Sequence, residues 1–141
     1  MGQRIVPFIG YEDAAGAIDW LTHAFGFVEN ESQRYTEEDG RVTHAELSLQ
    51  GATIYLANPT PEYVSPRRHR QECEAMRHAL DNPYVVDGHF VEVDDVDAHF
   101  ERASAAGATI LRALEEPGHG YRIYTAEDPE GHRWMLGQRT E

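Results

Sequence analysis

The sequence contains no lysine. Its 12 basic side chains are all arginines, set against 25 acidic ones, for a formal net charge of −13. A chain with so little positive charge has no basic face to offer a phosphate backbone, which excludes nucleic acid as a partner. The acidic excess suits a solvated surface and also an attraction for cationic ligands. Cysteine is nearly absent too. Cys73 stands alone, so an intramolecular disulfide is impossible and a cysteine-built zinc site is excluded. No apolar run approaches membrane-spanning length and none follows a basic start. The expectation is a cytoplasmic protein with no membrane partner. There is no H-E-x-x-H, no phosphate-cradling glycine loop and no nucleophile elbow.

What is present is a repeat. "GATIYLA" (51–57) and "GHRWMLG" (131–137) both run from a glycine into alternating residues, with Leu56 and Leu136 five places on. Upstream lie "YEDAAGAIDWLTHAFGF" (11–27) and "VDDVDAHFERASAAGA" (93–108), each an acidic pair, an amphipathic run and a closing glycine, Gly26 or Gly107. Ala14, Ile18, Leu21 and Phe25 share one helical face, as do Val96, Phe100 and Ala103. Asp13 and Asp95 stand at the capping ends. Strand-like "RIVPFIG" and "GHFVEV" precede the helices. The pattern predicts an α+β fold of two tandem βαβββ modules: module one over about 1–58, module two over about 85–138.

Residues 59–84 fall between them. "PTPEYVSP" reads as an extended connector. Ser65-Pro66 then starts a helix with an apolar stripe at Cys73, Met76 and Leu80, stopped by Asn82-Pro83. The stripe is expected to pack on the domain, with a lid or dimer contact as the other use. "RRHR" reads as a solvated helix start.

The doubled pattern, with "HAELSL" and "GYRIYTAEDPEGHRW", resembles the vicinal oxygen chelate superfamily, which holds glyoxalase I, bleomycin-resistance proteins and extradiol dioxygenases. The resemblance covers nearly the whole chain except roughly residues 59–83. It implies curved mixed sheets around a cleft with helices outside, commonly a homodimer, and in the enzymes one divalent metal. The metal ligands of that family sit on the first and last strand of each module, usually His, Gln or Glu. Counting along the repeat puts those places at Val6, Tyr55, Gly88 and Met135, none a convincing ligand for a hard or borderline cation. The expectation is that the metal site is lost and no cofactor is required. His89 is one residue out of phase, and such a slip turns a strand's side chain to the opposite face.

By the strand period of two, Phe8, Phe90 and Glu92 follow on the cleft face. Ala45, Leu47 and Leu49 suit the helix side, which turns His44 and Glu46 to the cleft. In "YRIYTA", Arg122 and Tyr124 are assigned to the cleft. Together with Tyr55 and Met135 these residues describe a pocket for a small organic molecule, antibiotic-like, aromatic or cationic, with Glu46 and Glu92 as counter-charges. His44 and Glu46 are the acid/base candidates. The alternative is a metal-dependent lyase, isomerase or dioxygenase on a rearranged site of His44, Glu46 and Glu92, and a third reading is a vestigial cleft serving a protein contact. Asp128 and Glu130 in "DPEG" read as turn chemistry. His23, His69, His78, His99 and His132 lack ligand spacing.

Overall fold

The computed structural model describes residues 2–81 and 88–140. In chain order the elements are β1 (Phe8–Gly10), α1 (Ala14–Trp20, continued as a π-helical turn over Leu21–Phe25), β2 (Val28–Glu29), β3 (Tyr35–Thr36), β4 (Val42–Leu49), β5 (Ala52–Ala57), α2 (Pro66–Glu72), α3 (Glu74–Leu80), β6 (Gly88–Glu92), α4 (Val96–Ala105), β7 (Thr109–Glu115), β8 (Tyr121–Glu127) and β9 (Arg133–Arg139). One sheet is ordered β1-β5-β4-β2, with β3 added onto β4, and the other β6-β9-β8-β7.

The two long helices begin for the same reason. Asp13 accepts from the Gly16 N–H at 2.9 Å and Asp95 from the Ala98 N–H at 3.1 Å, each satisfying an amide that the helix leaves orphaned. Both end through a left-handed glycine, Gly26 and Gly107. Ala14, Ile18, Leu21 and Phe25 form the buried face of the first; Val96 and Ala103, with partly buried Phe100, that of the second. The duplication extends to strand register. Phe8 lies opposite Tyr55 on the parallel pair β1–β5, and Phe90 lies opposite Met135 on β6–β9.

The modules differ in places. In the first, only Phe8–Gly10 of "RIVPFIG" pairs as a strand, and β2 is cut to two residues by a 3₁₀ turn over Glu31–Gln33. The connector helix is not continuous either. Cys73 adopts an extended conformation (φ −130°, ψ 116°) and splits it into α2 and α3. Of the expected stripe Leu80 is buried, while Cys73 and Met76 are half-buried. The Asn82-Pro83 stop lies outside the described residues. Gly131 (φ 90°) lets α2 approach the β8–β9 turn: a Cβ there would sit 2.7 Å from the Arg67 nitrogen.

The two modules hold each other by a reciprocal device. Glu130, in the β8–β9 turn, accepts from the Glu12 and Asp13 N–H groups at 2.6 and 2.8 Å, at the start of α1. Gln50, in the β4–β5 turn, accepts from the Asp94 N–H at 3.1 Å, just before α4. Each module's last turn therefore supplies an acceptor to the other module's helix entrance. Between them, Tyr11 Oη donates to Asp128 Oδ2 at 2.6 Å, the Trp134 indole N–H donates to the same oxygen at 3.1 Å, and His132 Nε2 donates to the Gly10 carbonyl at 2.6 Å. Asp128 and Glu130 do more than shape a turn. Phe25 and Phe27 close the core against Trp134, at 5.6 and 5.7 Å between ring centroids. The shared core is thus made of the helix-bearing backs of the two sheets, and both opposite faces point away from it.

Candidate functional site

Strand register decides what those outward faces carry. On module one, Phe8, Tyr55 and Glu46 form a row across β1, β5 and β4. His44, two residues before Glu46, sits beside the row and opposite Tyr35 of β3. The rings meet edge-on or tilted: His44–Tyr55 4.9 Å, Tyr35–His44 5.8 Å, Phe8–His44 6.0 Å and Phe8–Tyr55 6.1 Å between centroids. Phe8 is 61% exposed and Tyr35 55%. Glu46 is a half-buried residue, and its carboxylate has no hydrogen-bond or ion-pair partner among the described residues. Arg4 reaches the face from the N-terminal segment and donates to the Tyr55 hydroxyl at 3.3 Å.

On module two the row is Phe90, Met135 and Thr125. Phe90 is 44% exposed. Its ring lies over Gly137, where a Cβ would come within 2.7 Å of it, and meets Tyr121 edge-on at 5.1 Å. Arg139 stands over the Tyr121 ring at 5.0 Å and pairs with Glu92 at 2.9 Å. At the other end of this face, buried Arg133 and Glu127 form an ion pair at 3.0 Å. Arg70 of α2 adds a second guanidinium to Glu127 at 3.1 Å, and Arg133 donates to the Leu80 carbonyl at the end of α3. The connector helices are therefore pinned to the cleft side of module two. Breaking such a buried network strands a charge, which costs far more than its formation contributes.

Three assignments made from sequence change. Arg122 and Tyr124 face the helix, not the cleft, because Tyr124 is opposite fully buried Leu136 in the β8–β9 register. Tyr124 is itself fully buried against Phe100 of α4, and Arg122 is bound by Asp97 of α4 at 2.8 Å. Ile123 and Thr125 take the cleft positions instead. Glu92 does not present a free charge, since Arg139 neutralises it. Tyr35, Tyr121 and Arg139 belong to the faces and were not foreseen. Tyr35 sits on a two-residue strand too short to show a period. His89 shares a face with Val91 and packs at 4.9 Å on Trp134.

The four places that counting along the repeat assigns to metal ligands, Val6, Tyr55, Gly88 and Met135, carry no imidazole or carboxylate. At the β6 position there is only Gly88, whose missing Cβ would lie 3.1 Å from the Met135 methyl, and Tyr55 has a guanidinium at its hydroxyl. His44 and Glu46 lie on one sheet and Glu92 on the other. Among the described residues no three His, Cys, Asp or Glu side chains gather closely enough to hold a metal ion. Nor do the aromatic rings of the two faces meet within one chain: Phe8 contacts His44 and Tyr55, whereas Phe90 contacts Tyr121. A cavity of about 410 Å³ at the seam is lined by residues 4–7, 51–54 and 88–91 and by Trp134. It reaches Phe90 but not Phe8, Tyr55 or Met135.

Behind the faces, a second histidine joins the modules. His99 Nε2 donates to the Phe25 carbonyl at 2.9 Å, so in the neutral ring Nδ1 accepts from the Tyr124 hydroxyl at 2.6 Å. Burial holds its pKa below the ordinary histidine value, helped by the Arg102 guanidinium, against the opposing pull of the Phe25 carbonyl. A depressed histidine pKa means that the unfolded chain takes up the proton first. The stability it contributes is complete above about pH 6.5 and is lost as pH falls through the folded-state value. His99→Gln should therefore flatten the stability profile on the acid side, read from urea midpoints across pH. A wild-type slope below about pH 6.5 that survives in His99→Gln would assign the acid sensitivity elsewhere.

The profile of the Glyoxalase/Bleomycin resistance protein/Dioxygenase superfamily matches residues 4–136, and the chain belongs to that superfamily. An uncharacterised protein of Mycobacterium bovis is 37% identical over 94% of this chain and 80% of its own length, and one of Mycobacterium tuberculosis is 37% identical over 94% of this chain and 72% of its own. Among solved structures, TioX from Micromonospora sp. ML1 superposes with a TM-score of 0.70 at 28% identity, covering 99% of this chain and 98% of that one. TnmS3, an antibiotic binding protein from Streptomyces sp. CB03234, has the same fold with a TM-score of 0.65 at 21% identity, covering 99% of each chain. No helix among the described residues is long and apolar enough to cross a membrane.

Proposed function

We propose that the protein is a metal-independent, cytoplasmic binding protein for a small organic molecule of antibiotic-like kind, aromatic or cationic, and that it works as a homodimer. One observation carries this reading: Phe8 and Phe90 occupy matching places in the two modules and remain 61% and 44% exposed, each within a ring cluster. Contiguous apolar surface of that kind marks a contact site, and rings with a few polar groups are how organic ligands are held. The fold shared with an antibiotic binding protein adds support. Because both faces point away from the chain's own core, a second copy that sets its module-two face against this module-one face would complete a cleft. The enzyme reading needs His44, Glu46 and Glu92 in one coordination sphere, and Glu92 is already paired with Arg139.

The test is a thermal-shift screen of aromatic and cationic natural products with chelator present, where a binder rises with ligand concentration. Melting curves with zinc, nickel, manganese or iron are expected to coincide with the metal-free curve. A metal-dependent rise of many degrees that disappears in His44→Ala would overturn the metal-independent reading and promote the enzyme.

A further inference from the structure

We propose that the two faces take opposite ends of the ligand: module one receives a fixed organic cation with Glu46 as its counter-charge, and module two receives the neutral, apolar part. This rests on the binding reading above and narrows it to amphipathic planar cations. The two faces carry equivalent aromatic positions but different electrostatics. On module two the carboxylate, Glu92, is already neutralised by Arg139 at 2.9 Å, so a second cation there would find no free charge. On module one Glu46 is half-buried and has no partner among the described residues, directly across from Tyr55, a pairing that keeps the two Cβ atoms about 5 Å apart.

A carboxylate with no cation of its own offers a free counter-charge, and aromatic rings beside it supply the negative π-faces that attract ammonium and pyridinium groups. Tyr55, Phe8 and His44 surround that place. The same face already draws a guanidinium, since Arg4 comes to rest on the Tyr55 hydroxyl. A delocalised cation fits better than a small ammonium, because the site has flat rings and one carboxylate rather than a cage of hydrogen-bond acceptors.

The experiment titrates the wild-type protein with 1-methylquinolinium and with its neutral isostere 1-methylnaphthalene. The cation should bind at least about fivefold tighter, a difference of about 1 kcal/mol, and only its binding should weaken as ionic strength rises. Glu46→Gln should erase the preference and leave the neutral probe unchanged. Glu101→Gln, the same change of net charge on the exposed side of α4, should not. Equal binding of both probes to the wild type, or a preference that survives Glu46→Gln, overturns the proposal while leaving a binding protein. Binding of neither probe overturns it together with the reading it rests on. If Glu46→Gln fails to fold, Tyr55→Leu carries the test: removing the ring opposite Glu46 should cut the cation preference, and a preference that survives it overturns the proposal.

Discussion

Asp128→Ala should lower the melting temperature by on the order of 10–15 °C. The carboxylate is 4% exposed and accepts four hydrogen bonds, from the Tyr11 hydroxyl, the Trp134 indole and the Glu130 and His132 amides. Alanine leaves the tyrosine and tryptophan donors buried and unpaired, each at about 1–3 kcal/mol. About 4 kcal/mol in total corresponds to that shift for a chain of this length. Burial and the neighbouring Asp128 charge both hold the Tyr11 phenol far above its ordinary pKa, so Tyr11 remains a neutral donor throughout the accessible range. Tyr11→Phe removes a single bond and should cost about 1 kcal/mol. Because the two residues share that bond, the double variant should lose less than the sum of the singles. Calorimetry on the four proteins reads this directly. An Asp128→Ala protein that melts within a degree or two of wild type would mean that the Asp128 hydrogen bonds contribute little to holding the modules together.

The helix faces were legible because burial repeats at helical spacing, and the aspartate caps and closing glycines marked where each helix starts and stops. The duplication made the strand positions countable, which is why Phe8 and Phe90 come out in equivalent registers. What escaped has physical causes. Cys73 breaks the connector helix in a segment whose local sequence holds no glycine or proline to announce it. The phase of β8 could have been found: with Glu127 opposite Arg133 across the turn, Thr125 must face Met135 and Tyr124 must face Leu136. Reading "YRIYTA" by polarity placed Arg122 in the cleft, whereas its charge is satisfied on the outside by Asp97. The seam was least legible. Gln50 and Glu130 precede the two repeat glycines, yet nothing in a single turn says that its acceptor serves a helix of the other module. Contacts between repeats leave no periodic mark.

Phe8→Ala and Phe90→Ala should each weaken ligand binding about tenfold or more, combining about 0.5–1.5 kcal/mol of ring contact with buried area at about 25 cal/mol per Å². Since Phe8 is 61% and Phe90 44% exposed, neither change should move the melting temperature of the unliganded protein by more than a few degrees. The pair also tests how the cleft is assembled. In a two-fold dimer that sets module one of one copy against module two of the other, each site takes Phe8 from one chain and Phe90 from its partner. A mixed dimer of the two variants then holds one site with both rings missing and one site fully intact. After unfolding and refolding an equal mixture, about half the dimers are mixed by random assortment, so about a quarter of all sites should regain wild-type affinity. If each cleft were built within one chain, every site would still lack one ring and no tight sites would return. Titration of the refolded mixture with the best hit of the thermal screen separates the two outcomes. A strong loss of folding in either single variant would instead mean that the rings support the sheets, and the exposed faces would no longer count as a binding surface.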